Sequence, residues 1–318
     1  MQRWHGLESI PTGWGHCVVT IGVFDGIHRG HQKIIAEAVR LAGERGVPSV
    51  LITFVPHPSE VVRPGSHPPV LTGIVRRGEL VEDLGVDVFC ALPFTLEFSH
   101  MAPDEFVHHV LVERMHASAV VVGENFRFGH RATGDVALLE RLGATFGFSA
   151  HGIPLLSENG TVLSATYVRS SVTAGDVTTA ARVLGRPHRV DGLVERGDQR
   201  GRLLGFPTAN LRTEPWTAIP ADGVYAGRVV RLDEWGRRVD GPPLGVSAIS
   251  VGTNPTFDVR QRRVEAHILD FDGDLYGDML GVEFHHHLRG MVKYNGAEAL
   301  IEQMHLDVAQ TRELMGPL

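Results

Sequence analysis

Two histidines stand beside glycines near the start of the chain, in the segment Val18-Val-Thr-Ile-Gly-Val-Phe-Asp-Gly-Ile-His-Arg-Gly-His31. A β-branched run leads into a glycine-punctuated turn and then into a helical pattern. Glycine lets a backbone approach a phosphate closely, and a helix N-terminus offers N–H donors with a partial positive charge. Because residues three apart share one face of a helical turn, His28 and His31 could both donate to one anion. The spacing predicts a phosphate-binding site.

Zinc is the alternative ligand for these two imidazoles. A zinc site needs at least three protein ligands, and no third one is nearby in the sequence. His57 could supply it only through folding. Glycines after a strand also occur in α/β proteins that bind nothing there. We favour phosphate over zinc.

A second polar pair lies in the segment Gly201-Arg-Leu-Leu-Gly-Phe-Pro-Thr-Ala-Asn210. Thr208 and Asn210 are two positions apart, and in extended backbone such residues share a face. Mg²⁺ takes oxygen ligands and usually binds jointly with substrate phosphates, which suits a hydroxyl beside a carboxamide. A Pro or Asx turn that ends a strand would also explain Pro-Thr-Ala-Asn by itself. The pair therefore indicates a magnesium and phosphate site only as part of the longer segment.

The elements that would position the histidines follow an α/β pattern. Short β-branched runs alternate with helical patterns, as in a parallel sheet covered by helices. The predicted strands are Cys17–Ile21, Ser49–Phe54, Val86–Leu92 and Ala119–Val122, and the predicted helices are His31–Gly43, Pro103–Met115 and Asp135–Leu142. We expect a Rossmann-like parallel sheet in this half.

The texture changes after Gly185-Arg-Pro187 to short strand-like runs separated by Gly and Pro. The clearest runs are Gly223–Val230, Gly245–Val251 and Val264–Leu269. They predict a small β barrel, and apolar residues at helical spacing over Ala297–Leu314 predict a terminal helix packed on it. We place the domain boundary between Val183 and Val190, with one domain over residues 1–186 and the other over 187–318.

Composition limits the class of protein. A chain of 318 residues exceeds what one hydrophobic core usually holds. A net charge of -7 and a pI of about 6.2 argue against a general nucleic-acid binder. Cys17 and Cys90 are far apart in apolar surroundings, which predicts buried free thiols. The start lacks a signal-peptide pattern and no run is long enough for a membrane span, so we expect a cytoplasmic protein.

The segment from Gly22 to His31 resembles the His-x-Gly-His signature of the nucleotidyltransferase superfamily. Members catalyse the attack of a substrate nucleophile on the α-phosphate of ATP, with release of pyrophosphate. The protein mainly positions the nucleophile and neutralises charge on the leaving phosphates. Two further segments, Thr53-Phe-Val-Pro-His-Pro58 and Val122-Gly-Glu-Asn-Phe-Arg-Phe-Gly129, resemble the N-terminal domain of bacterial bifunctional riboflavin kinase/FAD synthetases. Each follows a predicted strand, where ligands of open parallel sheets collect.

The resemblance implies roles for individual residues of the N-terminal half. His28 and His31 would be catalytic. The implied ATP- and flavin-binding residues are Gly22, Phe24, Asp25, Gly26, His57, Asn125, Ser164, Thr166 and Arg169. The last three belong to Ser164-Ala-Thr-Tyr-Val-Arg169, which matches the family's Ser-Ser-Thr-x-x-Arg segment except at Ala165. That change removes one hydroxyl donor, so we expect weakened triphosphate binding, with Arg169 still able to meet phosphate bidentately.

The segment Gly201–Asn210 resembles the flavokinase signature. The resemblance continues through Asp222–Ala226, Val251–Phe257, Val264–Asp270, Asp274–Gly277 and Leu288–Tyr294. It implies that Thr208 and Asn210 hold Mg²⁺ with the ATP phosphates and that Asn210 also serves catalysis. The implied ATP- and flavin-binding residues are Gly201, Gly205, Phe206, Pro207, Thr208 and Arg289.

Phosphorylation of riboflavin requires removal of a proton from its ribityl 5′-hydroxyl as the γ-phosphoryl group arrives. The resemblance assigns that proton to Glu265. The sequence pattern alone does not choose Glu265 over Glu283, which also has a strand-like apolar context. The run His285-His-His287 suggests a metal site, but alternation in a strand points neighbouring side chains to opposite faces. We expect an exposed strand end there.

Taken together, these patterns predict a bifunctional transferase of flavin biosynthesis. The C-terminal domain would convert riboflavin and ATP to FMN, and the N-terminal domain would convert FMN and ATP to FAD and pyrophosphate, each with Mg²⁺. The expected partners are these small molecules, without nucleic acid or membrane, and a homo-oligomer is left open. Three alternatives stay open: a single-activity riboflavin kinase, a different adenylyltransferase with an accessory barrel, and a binding protein without catalysis.

Overall fold

The computed structural model describes residues 1–197, 200–253 and 262–317 and divides the chain into two compact units. The first unit comprises Met1–Pro68 and Arg76–Ser164, and the second comprises Pro69–Val75 and Ala165–Leu318. The segment Pro69–Val75 belongs to the second unit because it pairs there: the Val70 N–H donates to the Trp216 carbonyl at 2.7 Å, and the Val70 carbonyl accepts from the Ala218 N–H at 2.8 Å.

A six-stranded parallel sheet forms the centre of the first unit. Its strands are β1 (Gln2–His5), β2 (Cys17–Ile21), β3 (Ser49–Val55), β4 (Val88–Pro93), β5 (Ala117–Gly123) and β6 (Ser149–Ile153), and a hairpin of β7 (Ser157–Glu158) and β8 (Thr161–Val162) follows. The strand order is β1-β4-β3-β2-β5-β6, and every neighbouring pair is parallel. The helices are α1 (Arg29–Arg45), α2 (Pro58–Val62), α3 (Ile74–Asp83), α4 (Leu96–Ser99), α5 (Pro103–Phe106) continuing as a π-helix (Val107–Arg114), and α6 (Val136–Phe146).

The Rossmann-like prediction for this half is confirmed, and β2 has the predicted bounds. The prediction missed β1 and β6, which form the two edges of the sheet. Strand β1 reads Gln-Arg-Trp-His, with Trp4 as its one buried side chain, and β6 reads Ser-Ala-His-Gly-Ile, with no fully buried residue. Edge strands bury little apolar surface, so their sequences carry no apolar run.

A closed six-stranded antiparallel barrel forms the second unit, as predicted. Its elements are α7 (Ala165–Thr173), α8 (Val177–Leu184), β9 (His188–Glu195), α9 (Arg200–Leu203), β10 (Ala209–Thr213), β11 (Gly223–Leu232), β12 (Gly245–Thr253), β13 (Arg262–Ile268), β14 (Met279–Arg289) and α10 (Ala297–Met315). The barrel order is β10-β13-β12-β11-β14-β9. Helices α7 and α8 cluster with the barrel, whereas the predicted boundary after residue 186 assigns them to the N-terminal domain, and that boundary stays a prediction.

Alternation along the barrel strands separates core from outer face. On β13 the side chains of Val264, Ala266 and Ile268 are buried inside, while Glu265 and its odd-numbered neighbours point outward. Tyr225 and Phe284 are fully buried in the same core. Helix α10 has the predicted bounds to within one residue. The predicted match over Val251–Phe257 falls from residue 254 onward outside the described residues.

A membrane-crossing helix would need a long apolar stretch. Across residues 1–197, 200–253 and 262–317, no helix has the length and hydropathy to span a bilayer.

Both cysteines are buried free thiols in the first unit. Burial raises the pKa of Cys90 to about 12 and also raises the pKa of Cys17, because a thiolate would lose its hydration. At pH 8 the thiolate fraction of Cys90 falls about a thousandfold below that of an ordinary cysteine. We expect the folded protein to react with Ellman's reagent on that slower scale and the urea-unfolded protein to react at once. Fast modification of folded protein would contradict this burial.

Candidate active sites

The turn after β2 carries the chain sharply into α1. All five residues of β2 are buried, and the Gly22 N–H extends the sheet by donating to the Ile52 carbonyl of β3 at 3.1 Å. The backbone then takes positive φ at Phe24 (51°), Gly26 (80°) and Ile27 (40°). Only glycine adopts that region freely. Phe24 and Ile27 are held there by burial, since their exposures are 2% and 1%, and this fixes where α1 begins.

The two predicted histidines come together at the start of α1. His28 caps the helix, and its Nδ1 accepts a hydrogen bond from the His31 N–H at 3.3 Å. The two rings stack, with centroids 3.6 Å apart and planes 26° apart. Since Nδ1 of His28 accepts, the ring proton of its neutral form lies on Nε2. The arrangement sets imidazole donors beside the positive end of a helix dipole, where an anion is favoured.

Gly30 allows a second segment to reach these imidazoles. A Cβ at Gly30 would lie 3.0 Å from Cε1 of His28 and 3.1 Å from the carbonyl oxygen of Leu163. An ion pair between Arg29 and Glu158 fastens the β7–β8 hairpin to the same end of α1. The hairpin and the bare glycine together place Ser164, the next residue after Leu163, beside the start of the helix.

The rest of the predicted triphosphate segment belongs to the second unit. Thr166 is exposed on α7, and Nε of Arg169 donates to the carbonyl oxygen of Pro69 at 2.7 Å. Ala165 is the first residue of α7. Thr166 and Arg169 are thus described on a different unit from His28 and Ser164.

Arg77 stabilises the turn from below and was missed by the sequence analysis. It is 6% exposed on α3, and its guanidinium lies 3.7 Å from the Asp25 carboxylate, itself 3% exposed. It also donates to the Thr53 hydroxyl at 3.1 Å, and that hydroxyl donates to the Val23 carbonyl at 2.9 Å. The Asp25 side chain is thereby turned into the protein. Arg77 shares a helical face with buried Leu80 and Val81, a spacing that could have marked it as buried.

His57 and Asn125 follow the two strands that flank β2. Because β3 and β5 both pair with β2 in parallel, the turns that follow these three strands lie together at the carboxyl ends of the strands. His57 caps α2 and accepts from the Ser59 N–H at 3.1 Å through Nδ1. Asn125 is exposed in the turn after β5. Within the described ranges, no three His, Cys, Asp or Glu side chains form a group that could hold a metal ion, so the zinc alternative finds no ligand set there.

Three predicted residues meet on the outer face of the barrel. Asn210 of β10 pairs in register with Glu265 of β13. The Thr208 hydroxyl donates to Oε2 of Glu265 at 3.5 Å, and Nδ2 of Asn210 donates to the Thr208 hydroxyl oxygen at 3.4 Å. A hydroxyl, a carboxamide and a carboxylate thus lie within loose hydrogen-bond reach of one another. Such hard oxygen groups suit both a divalent cation and a proton acceptor.

Bare glycines allow the loop before β10 to fold tightly. A Cβ at Gly197 would lie 2.6 Å from Oδ1 of Asn210, and a Cβ at Gly201 would lie 2.5 Å from the Phe206 carbonyl oxygen. The Phe206 N–H closes the turn by donating to the Gly201 carbonyl at 2.8 Å, and Gly205 has a φ of 89°. Gly197 was not singled out from the sequence, because its requirement arises only from contact with Asn210.

Two cavities adjoin this cluster, and Thr208 lines both. The first, of about 290 Å³, is lined by Glu265, Arg289 and mainly apolar residues of the barrel and α10, including Leu204, Phe206, Val224, Ile249 and Met304. The second, of about 450 Å³, is lined by Asn210, Pro207 and more polar residues, including Gly197, Arg202, Asp272, Asp274 and Tyr276. The cluster of Thr208, Asn210 and Glu265 therefore lies where an apolar and a polar cavity meet.

The structure separates the two glutamates that the sequence pattern left equal. Glu283 lies on β14 opposite Arg189 of β9, and its carboxylate is 3.9 Å from the His285 ring. It lines neither of the two cavities, whereas Glu265 lines the apolar one. The three consecutive histidines differ from the expected strand end, because they lie inside β14 and only His287 is exposed.

Two family models and several full-length relatives match this chain. The FAD synthetase family matches residues 10–167, and the riboflavin kinase family matches residues 184–315. The chain is 36% identical to the bifunctional riboflavin kinase/FMN adenylyltransferase of Pseudomonas fluorescens, and the match covers 100% of this chain and 99% of that relative. The enzyme of Listeria monocytogenes is 34% identical over 95% and 93%, and that of Escherichia coli K12 is 32% identical over 98% and 96%.

A solved structure shares the whole architecture. The crystal structure described as a macrolide-efflux protein from Streptococcus pneumoniae superimposes with a TM-score of 0.86 at 29% identity. The match covers 98% of this chain and 99% of that chain. The sheet and the barrel thus occur together in another protein.

The buried contact between Arg77 and Asp25 should show in stability. Arg77→Met would remove a buried guanidinium from beside the buried Asp25 carboxylate, so we expect the free energy of unfolding of the first unit to fall by about 3 kcal/mol. The matched control is Arg40→Met, which removes an exposed arginine paired with Glu37 and Glu44 on α1. Urea unfolding followed by circular dichroism compares the two. Equal midpoints for both variants would show that Arg77 does not hold the turn.

Proposed function

The chain belongs to the family of bifunctional riboflavin kinase/FMN adenylyltransferases, and we propose how its residues divide the two reactions. It phosphorylates riboflavin to FMN with ATP, and it adenylylates FMN to FAD with release of pyrophosphate. We assign FAD formation to residues 1–186 and FMN formation to residues 187–318. The junction of the two cavities at Thr208, with Glu265 and Asn210 beside it, is the observation that carries the kinase assignment.

In the kinase site the apolar cavity takes the flavin ring system and the polar cavity takes the nucleotide. The ribityl 5′-hydroxyl then points to Thr208, where the cavities meet, and Glu265 accepts its proton as the γ-phosphoryl group arrives. Arg202 lines the polar cavity and supplies positive charge for the phosphates. Gly201, Gly205, Phe206 and Pro207 form the turn that brings Thr208 to this junction.

Magnesium is proposed as the metal of the kinase site. The Thr208 hydroxyl oxygen lies next to the Glu265 carboxylate, and the Asn210 carboxamide, whose Nδ2 contacts that hydroxyl, carries a further oxygen ligand on Oδ1. These groups fit a hard cation that takes its remaining ligands from water and phosphate. Bound there with ATP, the ion would neutralise phosphate charge. The chain's own part is to keep these groups close together where β10 pairs with β13.

In the adenylyltransferase site, His28 and His31 donate to the phosphates that leave as pyrophosphate. The phosphate of FMN is already an anionic nucleophile, so the site has to align it and stabilise charge without removing a proton. Gly22 and Gly26 let the backbone approach, while the buried side chains of Phe24 and Asp25 act by shaping the turn. His57 and Asn125 contribute from the neighbouring strand ends, and Ser164 is a further phosphate ligand of the same unit.

We also propose a cytoplasmic location and small-molecule partners only. The reactions consume ATP, and both cysteines are free thiols, as in reducing compartments. A net charge of -7 offers no broad basic surface for nucleic acid. Homo-oligomer formation stays open and has no bearing on the two residue assignments.

The division of labour is tested by one variant in each unit. Glu265→Gln should lower FMN formation from riboflavin by about a hundred- to ten-thousandfold, because it removes the proton acceptor. It should leave FAD formation from supplied FMN unchanged. His28→Ala should do the reverse, with a loss of about a hundredfold or more in FAD formation. Chromatography of riboflavin, FMN and FAD measures both steps, and urea unfolding followed by circular dichroism checks that the mutated unit of each variant is folded. Loss of both reactions in either folded variant would overturn the assignment.

The bare glycine beside His28 gives a second test on α1. Gly30→Ala should displace the His28 ring or the Leu163 carbonyl, and a displacement near one ångström can lower a rate by about a hundredfold. FAD formation from FMN should fall on that scale, with riboflavin phosphorylation unchanged. Gly43→Ala makes the same change on the same helix, where a Cβ would meet nothing within 4 Å. An unaltered rate in Gly30→Ala would show that the close approach is not needed.

A further inference from the structure

A buried carboxylate on the terminal helix is not used by either proposed mechanism. Asp307 of α10 is 5% exposed. Burying an ionised carboxylate is unfavourable unless a cation and hydrogen bonds compensate it. Its surroundings therefore decide what it does.

Asp307 binds Arg289, the last residue of β14, through two hydrogen bonds. Nε of Arg289 donates to Oδ1 at 2.8 Å, and Nη2 donates to Oδ2 at 2.7 Å. This is the bidentate geometry that fixes both position and orientation of a guanidinium. Gln303 adds a donor to Oδ1 at 3.0 Å, and the bond to Asp307 raises the pKa of Arg289.

Both partners line the apolar cavity. Nη1 of Arg289 also donates to the Gly290 carbonyl at 3.1 Å. Three of the five N–H donors of the guanidinium are thus engaged by the described part of the chain, and two are left for acceptors on a ligand. The isoalloxazine ring of a flavin carries carbonyl oxygens that are such acceptors.

The segment after Arg289 overhangs the same cavity. Met291 and Val292 line it although they are 55% and 57% exposed, and the Tyr294 ring centroid is 5.8 Å from Cζ of Arg289. A flat apolar ligand in the cavity would cover Met291 and Val292. Arg289 is the point at which this segment joins the rigid barrel.

We propose that Asp307 is a positioning residue for flavin recognition, acting through Arg289. It holds the guanidinium so that its two remaining N–H groups face the flavin ring, and it keeps the segment from Gly290 to Tyr294 at the mouth of the cavity. This inference rests on the proposed assignment of the apolar cavity to riboflavin. Asp307 itself does not contact the reacting atoms.

A purely structural role for the pair has a matched control in the same unit. Asp270 and Arg312 form a second bidentate pair that joins α10 to the barrel, with distances of 2.6 and 2.7 Å. These side chains are 72% and 52% exposed, and neither lines the apolar cavity. The two pairs share their chemistry and their helix and differ in burial and in contact with the cavity. The KM for ATP therefore serves as the second control, because a general disturbance of the barrel by a buried substitution would change it as well.

The test compares Asp307→Asn and Arg289→Lys with Asp270→Asn in the full-length enzyme. Quenching of riboflavin fluorescence gives the dissociation constant, and kinase assays give separate KM values for riboflavin and ATP. We expect both cavity variants to raise the dissociation constant and the KM for riboflavin about tenfold. Both should keep the KM for ATP and FAD formation from supplied FMN within twofold. Asp270→Asn should keep the dissociation constant and all KM values within twofold. The double variant Asp307→Asn/Arg289→Lys should bind riboflavin no more weakly than either single variant, because both changes affect the same interaction.

Two outcomes would overturn different statements. If Arg289→Lys weakens riboflavin binding tenfold while Asp307→Asn matches Asp270→Asn, Asp307 has no positioning role and the flavin cavity stands. If Arg289→Lys also leaves riboflavin binding unchanged, the assignment of the apolar cavity to flavin fails together with the inference. A loss of FAD formation in Asp307→Asn would mark general unfolding, and Arg289→Lys then decides the question.

Discussion

Both sites depend on pairs of chain segments that approach more closely than any side chain between them would permit. At the start of α1, the His28 ring and the Leu163 carbonyl both lie about 3 Å from where a Cβ of Gly30 would be. Before β10, Gly197 lets Asn210 sit against the loop in the same way. In each case a side chain of a candidate site is confined in the absence of ligand, which would lower the entropy cost of binding there. Preorganisation here comes from an absent side chain as much as from the residues present.

The two reactions place different demands on their sites, and the carboxylates show this. A hydroxyl nucleophile has to give up its proton as it attacks phosphorus, and Glu265 is half-buried at a cavity wall of the barrel. The phosphate group of FMN is already anionic, so it needs no proton acceptor. In the first unit Asp25, the carboxylate nearest the histidines in the sequence, is turned inward to Arg77. The Asp25 carboxylate therefore faces Arg77, away from the imidazoles at the start of α1.

The sequence predicted those features that depend on residues close together in the chain. His28 with His31, and Thr208 with Asn210, stand two or three positions apart, and the structure brings each pair into contact. Strand β2 and helix α10 carry strong periodic patterns. Edge strands β1 and β6 were missed because they bury little. Arg77, Gly197 and Asp307 contact residues that lie far from them in the sequence, and no local pattern indicates those partners. Glu265 and Glu283 look alike in sequence, since both occupy outward positions of buried strands, and only their tertiary neighbours distinguish them.

Closure of the barrel requires strands that lie far apart in the sequence, and this determines when it can occur during translation. Strand β9 pairs with β10 and with β14, so the ring closes only when its last strand has left the ribosome. Helix α10 follows later still and supplies one wall of the apolar cavity. A nascent chain can complete the parallel sheet from residues already synthesised, while the barrel waits for pairings between distant segments, which form slowly. During translation the strands of the sheet are therefore all available before the barrel can close.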